Sequence, residues 1–213
     1  MGSVNYLLHK DDLTLTKREE RRLTALAAGI SKCFSKGIGL PSDIPNWVAS
    51  ATPQANVLTV LSYLKGGNWP DSIDVKNMEL SVNDLVVGPT LDQWLTAALA
   101  AVGTAYSCFQ NIAVPQMQDV KLAVFYGVQV NSIPFAVSRL IFRQNGAAGN
   151  IQAQFDLEGL EAMETWAGLF SEPVVIEPRQ NFAAQVLCRQ VTNAAAKIVL
   201  ENYVFEAKGA TIA

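Results

Sequence analysis

Two hydrophobic periods divide the chain near residue 119. Before this point, apolar residues recur mainly at helical spacing, whereas after it they alternate at every second position. We therefore expect helices to dominate the first half of the chain and strands to dominate the second half. The sequence contains no internal repeat and no low-complexity tract.

The first helix is predicted over residues 16–36. Thr16 and Glu19 form a capping box, in which the threonine side chain bonds the glutamate amide and the glutamate reaches back. Gly37 suits the left-handed conformation that ends many helices. One face of this helix carries the apolar residues Leu23, Leu26, Ala27, Ile30, Cys33 and Phe34.

A glycine- and proline-rich connection over residues 37–53 leads to a second, shorter helix. Thr52 is its predicted N-cap, and Pro53 takes the first position, where the missing N–H would have no partner in any case. Gly66 and Gly67 end this helix. Its inward-facing side chains are expected to be Val57, Leu61 and Leu64.

The segment between this helix and residue 119 combines both patterns. Asp71 to Val87 predicts one or two strands, and the alanine-rich Thr90 to Phe109 predicts a third helix. The apolar run from Trp94 to Phe109 is shorter than the ~20 residues that a membrane-spanning helix needs. We therefore expect a buried or interface helix here.

Six strands are predicted from residue 119 onward. In one of them Ile151, Ala153 and Phe155 lie on one face, while Gln152 and Gln154 lie on the other. Several short strands separated by turn residues are typical of a β-sandwich or barrel, not of a βαβ sheet. The predicted strands are residues 121–130, 137–144, 151–157, 173–176, 182–190 and 196–207.

Charged residues are sparse, at 16% of the chain, where about a quarter is usual. Because interface cores are depleted in charge, this composition favours extensive subunit contact. Residues 1–40 carry seven Lys or Arg against four acids, and residues 41–213 carry nine against fifteen. The basic N-terminal segment fits either contact with phosphate, in nucleic acid or lipid headgroups, or a solvated helix face. Its candidate phosphate or lipid contacts are Arg18, Arg21 and Arg22.

The inventory of reactive side chains argues against an enzyme. His9 is the sole histidine, so a multi-histidine metal site cannot form and any Ser-His-Asp arrangement would depend on it. Cys33, Cys108 and Cys188 lack CxxC spacing and are expected to be buried free thiols. No nucleotide-binding loop occurs. We therefore predict no catalytic residue, no metal ligand and no cofactor.

Two groups of residues leave alternatives open. Asp156, Glu158, Glu161 and Glu164 follow a predicted strand. They fit a solvated helix face, an ion site, or a catalytic site if the acids converge in a pocket with raised pKa values. The other group fits core packing, interface anchoring or a sugar-binding face, and consists of Trp47, Trp69, Trp94 and Trp166.

Three segments of the second half share a recognisable pattern of strands and turns. Residues 169–187 read LFSEPVVIEPRQNFAAQVL, the last strand reads KIVLENYVFEA, and VSRLIFRQNGAAGNIQAQFDLE resembles a hairpin of the same sheets. Over about residues 119–210, this pattern is similar to single jelly-roll capsid proteins of small tailless icosahedral phages with internal membranes. The resemblance implies two four-stranded sheets, self-assembly into capsomers and a shell role without catalysis. The helix-rich first half departs from it.

These features predict a mainly β fold, a jelly-roll-like β-sandwich with N-terminal α-helices and helical insertions. Residues 1–53 are the predicted helical arm and linker, and residues 54–213 the sandwich, with a helical insertion near residues 90–110. The expected function is that of a non-enzymatic phage capsid protein, assembled in the host cytoplasm into the icosahedral shell of a virion. Its expected partners are copies of itself, such as a trimer, other capsid proteins, and an internal membrane or genome contacted by the N-terminal helix. A carbohydrate- or receptor-binding β-sandwich, as in a spike or adhesin, is the alternative.

Overall fold

A computed structural model of the chain shows a β-sandwich with a helical layer on one sheet. The helices are α1 Leu15–Ser35, α2 Pro53–Lys65 and α3 Glu158–Ala162, with a 3-10 helix at Pro41–Asp43. The strands are β1 Val4–Asn5, β2 Leu7–Leu8, β3 Ile73–Asn77, β4 Thr96–Ala97, β5 Ala105–Ser107, β6 Lys121–Asn131, β7 Val137–Gln144, β8 Ile151–Asp156, β9 Ala167–Ile176, β10 Phe182–Cys188 and β11 Ala196–Ala207. The structure describes residues 4–5, 7–8, 15–48, 52–77, 80, 84–85, 96–109, 115–132, 134–162, 167–192 and 194–209.

The two N-terminal helices are present close to their predicted bounds. In α2, Leu64 is buried as predicted, whereas Val57 and Leu61 are only partly buried. Helix α1 ends where Gly37 adopts a φ of 76°, and the amide of Ile38 bonds the carbonyl of Cys33 at 2.9 Å, as in a left-handed helix cap. At the start of α2, the Thr52 side chain accepts a hydrogen bond from the Ala55 amide at 3.4 Å. Because α1 already begins at Leu15, Thr16 lies inside the helix and not at the predicted cap position; its side chain is outside the described part of the chain.

Two sheets form the sandwich. Sheet 1 has the strand order β1-β8-β7-β10-β5, and sheet 2 has the order β2-β9-β6-β11-β3, with β4 also paired to β11. The four longer strands of each sheet pair antiparallel, whereas β1 runs parallel to β8. The predicted β-sandwich of a mainly β fold is therefore confirmed.

Sheet 2 lies between two hydrophobic cores. The core between the sheets includes Phe125, Phe142 and Phe155, which alternate along their strands with outward residues. The second core joins α1 and α2 to the outer face of sheet 2. In this second core, Gly29 lies so close to Phe205 that a Cβ atom there would meet the ring at 2.4 Å. The absence of a side chain at Gly29 thus permits the close approach of helix and sheet.

The six predicted strands are present, with one much longer than expected. Strand β9 begins at Ala167, although Pro173 suggested a start near that residue. A proline cannot donate to a strand ladder and is tolerated at irregular positions. Here β6 pairs with residues 174–176 and 167–169 of β9, and the register shifts between them. Pro173 lies within this irregularity, so the strand continues past it.

The helix predicted from Thr90 to Phe109 is wrong for residues 96–109, which contain β4, a turn and β5. Gly103 takes a φ of 77° in the turn, and the Tyr106 hydroxyl accepts hydrogen bonds from the amides of Ala100 and Ala101. Strand β5 then pairs with β10. Pairing with a distant strand outweighs the helix propensity of the alanines. Residues 90–95 and 110 lie outside the described residues.

Where the structure describes the first 53 residues, they contact the sandwich. Strands β1 and β2 pair with the two sheets, and α1 lies directly on sheet 2. Helix α2 begins at Pro53, the last residue of the predicted arm and linker. Among the described helices, none has the length and apolar character needed to cross a membrane.

Candidate assembly and anion-contact surfaces

Asp156, Glu158 and Glu161, the described members of the predicted acidic group, do not converge. An Asp156 carboxylate oxygen accepts the Glu158 amide at 2.9 Å, which places it at the start of α3. Glu161 pairs instead with Arg189, and Glu158 is exposed. Within the described residues, no three His, Cys, Asp or Glu side chains are arranged to hold a metal ion. The positions of Glu164 and His9 lie outside the described part of the chain.

The described tryptophans have structural contacts in the helical layer. Trp47 packs edge-on against Phe34, with 5.1 Å between ring centroids. Trp69 donates its indole N–H to the Ile73 carbonyl at 2.8 Å. Both rings are partly buried against the second core, which favours core packing over a sugar-binding face. Trp94 and Trp166 are not among the described residues.

All three cysteines are buried free thiols, as predicted. Burial raises the pKa of the Cys33 and Cys108 thiols far above the ordinary value. A thiol reacts as its thiolate, so these two side chains are unsuited to nucleophilic chemistry. The Cys188 thiol lies 3.2 Å from the Gln190 carbonyl.

A polar pocket of about 290 Å³ opens beside the β9–β10 turn. Gln180 donates to the Gln152 side-chain oxygen at 3.3 Å, and Gln152 donates to the Val175 carbonyl at 2.9 Å. The Gln180 oxygen in turn accepts the Glu177 amide at 2.9 Å. These bonds fix two amide side chains in the pocket wall. The lining contains no aromatic ring and consists of Gln144, Asn145, Gln152, Val175, Glu177, Pro178, Arg179 and Gln180.

Helix α1 presents the three predicted phosphate contacts, Arg18, Arg21 and Arg22, all of which are exposed. Their spacing of three and four residues places them on one side of the helix. Arg21 also donates to the Ser171 carbonyl of β9 at 2.9 Å, so part of its guanidinium holds the helix to the sheet. Arg18 and Arg22 are therefore the better candidates for contact with an external anion.

Beneath the first turns of α1, two tyrosines stack on the outer face of sheet 2. The Tyr126 and Tyr203 rings have centroids 4.6 Å apart, and the Tyr126 hydroxyl donates to the Asn77 side chain at 3.0 Å. Burial raises the pKa of both phenols, while the positive charge of Arg22 opposes that rise. Arg22 thus lies within electrostatic range of this pair and remains exposed above it.

The other end of α1 is fixed by an ion cluster. Glu177 lies 2.5 Å from the Lys32 ammonium and 2.6 Å from that of Lys36. Partial burial would raise the pKa of Glu177, but the hydrogen bonds and charges of the two lysines outweigh it and lower that pKa. Through Arg21 in its N-terminal half and the two lysines at its C-terminal end, α1 is attached to β9 and to the turn that follows β9.

The edges of the sandwich offer little free strand among the described residues. At one edge, β1 pairs with β8 and β2 pairs with β9, so two short N-terminal strands occupy part of that edge in both sheets. At the opposite edge, β5 has only three residues and β3 carries Asp74 and Lys76. Short or charged edges resist pairing with another chain. Contacts between subunits are therefore expected on faces, helices and loops.

No protein-family model matches the chain, and a search of curated proteins finds no significant match.

Proposed function

We propose that this chain is a shell-forming structural protein built on a single jelly roll. The supporting observation is the strand order. Eight strands, β3 and β5 to β11, form the two sheets of four: β3-β11-β6-β9 and β5-β10-β7-β8. Each of these strands lies in the other sheet from the one before it in the chain, except that β7 and β8 form a hairpin within one sheet. This order supports the proposal because it is the order expected of a double-sheet jelly roll, in which eight strands form two Greek keys. Viral capsid and lectin domains use that architecture.

The proposed role is self-assembly into an icosahedral phage capsid, with copies of the chain and other capsid proteins as partners and the virion as location. Two features support a structural role over an enzymatic one. The chain is poor in charge, and within the part of the chain that the structure describes no three His, Cys, Asp or Glu side chains are arranged to hold a metal ion. The helical layer also exposes large apolar side chains, among them Leu58 at 65%, which suit burial between subunits.

The first test is the solution mass of the purified protein. We expect light scattering to show trimers or other oligomers whose mass rises with concentration, and electron microscopy of the heaviest fraction to show closed shells. A monomer whose mass stays constant across concentration and salt would contradict the proposal.

We further propose that the N-terminal half of α1 contacts phosphate, in an internal membrane or a genome. The double change Arg18→Gln and Arg22→Gln removes two exposed cations and leaves the Arg21–Ser171 bond intact. We expect weaker binding to anionic lipid vesicles or to nucleic acid at low salt, with a salt dependence reduced by about two charges for nucleic acid.

The matched control replaces Lys197 and Lys208, which are also exposed, by glutamine. It alters net charge by the same amount at a different surface. Equal losses in both double variants would show that binding follows net charge alone and would contradict a contact on α1. If the Arg18→Gln/Arg22→Gln variant loses binding to only one of the two ligands, the vesicles or the nucleic acid, that ligand is the one that α1 contacts.

The alternative function, carbohydrate or receptor binding, is favoured by one observation. The pocket at Gln152 and Gln180 holds fixed amide groups, and such groups bond sugar hydroxyls well. It lacks, however, the aromatic platform that sugar rings commonly pack against. A constant monomeric mass combined with glycan binding that Gln180→Ala abolishes would favour this alternative over the capsid proposal.

A further inference from the structure

The strands of the two sheets differ in their content of charged residues. Sheet 2 carries α1 and α2, and its strands contain lysine and glutamate. The strands of sheet 1 contain neither residue, and their only charges are Arg139, Arg143 and Asp156. Loss of lysine and glutamate with retention of arginine distinguishes protein interfaces from the rest of a protein surface. In its lysine, glutamate and arginine content, the outer face of sheet 1 is therefore similar to a protein interface.

The outward side chains of this face form two rows across the strands. One row runs Gln154, Ile141, Gln185, Ser107, because each residue is the register partner of the next. The second row runs Asp156, Arg139, Leu187, Ala105 by the same pairing. The face therefore alternates neutral amides with apolar side chains and has opposite charges side by side at β8 and β7.

These opposite charges do not pair within the chain. Arg139 and Asp156 are exposed register partners, but no ion pair joins them among the described contacts. One Asp156 oxygen bonds the Glu158 amide, which leaves its second oxygen free to accept. Both groups can thus engage a neighbouring molecule.

We propose that this face, the outer face of sheet 1 between β8 and β10, binds the same face of a second copy. A two-fold axis parallel to the strands and between β7 and β8 brings β7 of one copy over β8 of the other. Because Arg139 and Asp156 lie at one level, the rotation sets each arginine against the partner copy's aspartate, twice per contact. It likewise sets Ile141 against Gln154. Aligned packing of two sheets about 10 Å apart accommodates these side chains.

This contact rests on the proposed self-assembly, and mixing of charge-reversed variants tests it separately. In the Arg139→Asp variant, each of the two facing pairs of the contact consists of two acids. In the Asp156→Arg variant, each facing pair consists of two arginines. We expect each variant alone to associate at least about tenfold more weakly than the unmodified protein. In an equimolar mixture of the two variants, every facing pair is again opposite in charge, so association is restored.

The readouts are sedimentation velocity across concentration and the yield of closed shells by electron microscopy, with circular dichroism to establish folding. The matched control pair is Arg179→Asp and Asp119→Arg, because those residues form an exposed ion pair within one chain. We expect neither control variant to weaken association. Recovery on mixing cannot come from a variant that fails to fold.

Two results overturn the contact. Either both variants associate as the unmodified protein does, or their mixture associates no better than each variant alone. If the unmodified protein still forms closed shells in those cases, only this face is excluded as the interface and the structural role stands. If the unmodified protein stays monomeric at every concentration, the structural role fails together with the contact.

Discussion

Replacing Lys121 with methionine is expected to lower the free energy of unfolding by about 3–5 kcal/mol. The Lys121 ammonium is 2% exposed and lies 2.5 Å from the fully buried Asp84 carboxylate and 3.2 Å from that of Glu206. Removing the lysine leaves the Asp84 and Glu206 carboxylates without the positive charge that lies between them. Chemical denaturation of the unmodified protein and of Lys121→Met, analysed with equal m-values, measures the difference in their free energies of unfolding.

Two variants separate the loss of a buried partner from a general loss of charge. Lys76 is 37% exposed and lies 3.4 Å from Glu206, so Lys76→Met should cost no more than about 1 kcal/mol. Adding Asp84→Asn to Lys121→Met removes the buried acid that has lost the charge of the lysine and should recover part of the stability. An effect of Lys121→Met as small as that of Lys76→Met would contradict the prediction.

The contact of Lys121 with its acidic partners also leads to a prediction for alkaline pH. Burial alone would lower the pKa of Lys121, but hydrogen bonds and charges from Asp84 and Glu206 outweigh it and raise that pKa above 10.5. A raised lysine pKa stabilises the fold below the unfolded value, and this stabilisation is lost as pH rises through the folded value. The stability difference between the unmodified protein and Lys121→Met should therefore persist at neutral pH and shrink only above about pH 10.5.

The sequence predicted the strands well because burial on one face leaves a pattern at every second residue. Ala153 and Phe155 enter the core between the sheets, while Gln152 and Gln154 do not, as their alternation indicated. The helices could be predicted equally well, because Thr52 and Gly37 cap helix ends through interactions with residues close to them in sequence. Elements that are determined by a few neighbouring residues can thus be predicted from the sequence alone.

Features that depend on distant partners were not accessible. Strand β6 was predicted from its period, but nothing near Lys121 signals that Asp84, 37 residues away, lies beside it. Strand β5 is set by its pairing with β10, and β1 and β2 by their pairing with β8 and β9. In each case the local sequence favours another state or none.

The candidate surfaces divide in the same way. Arg18, Arg21 and Arg22 could be proposed from helical spacing alone, whereas the bond from Arg21 to Ser171 spans 150 residues. The alternation of Arg139, Ile141 and Arg143 was visible, but their neighbours across the sheet were not. Only the register of β7 against β8 sets Arg139 beside Asp156, and that register carries the proposed contact between copies.

Replacing Phe155 with alanine is expected to destabilise the protein by about 3–5 kcal/mol. Phe155 is fully buried on β8, and its ring stacks on Phe170 of β9 with centroids 3.9 Å apart and planes 15° apart. Phe142 meets the ring edge-on at 6.3 Å. Because β8 belongs to sheet 1 and β9 to sheet 2, truncation removes a contact that joins the two sheets.

The outcome distinguishes a close-packed sandwich core from a loosely packed one. Ile151→Ala on the same strand is the matched control, since Ile151 is 43% exposed and surface changes usually stay within about 0.5 kcal/mol. Denaturant unfolding of both variants should shift the midpoint strongly for Phe155→Ala only. A loss below about 1 kcal/mol would mean that the surrounding rings collapse into the vacated space, because the cost of such a cavity depends on how far its walls relax. In that case β8 would be held to β9 by the connections and the remaining core, and the Phe155–Phe170 stack would not fix the spacing of the two sheets.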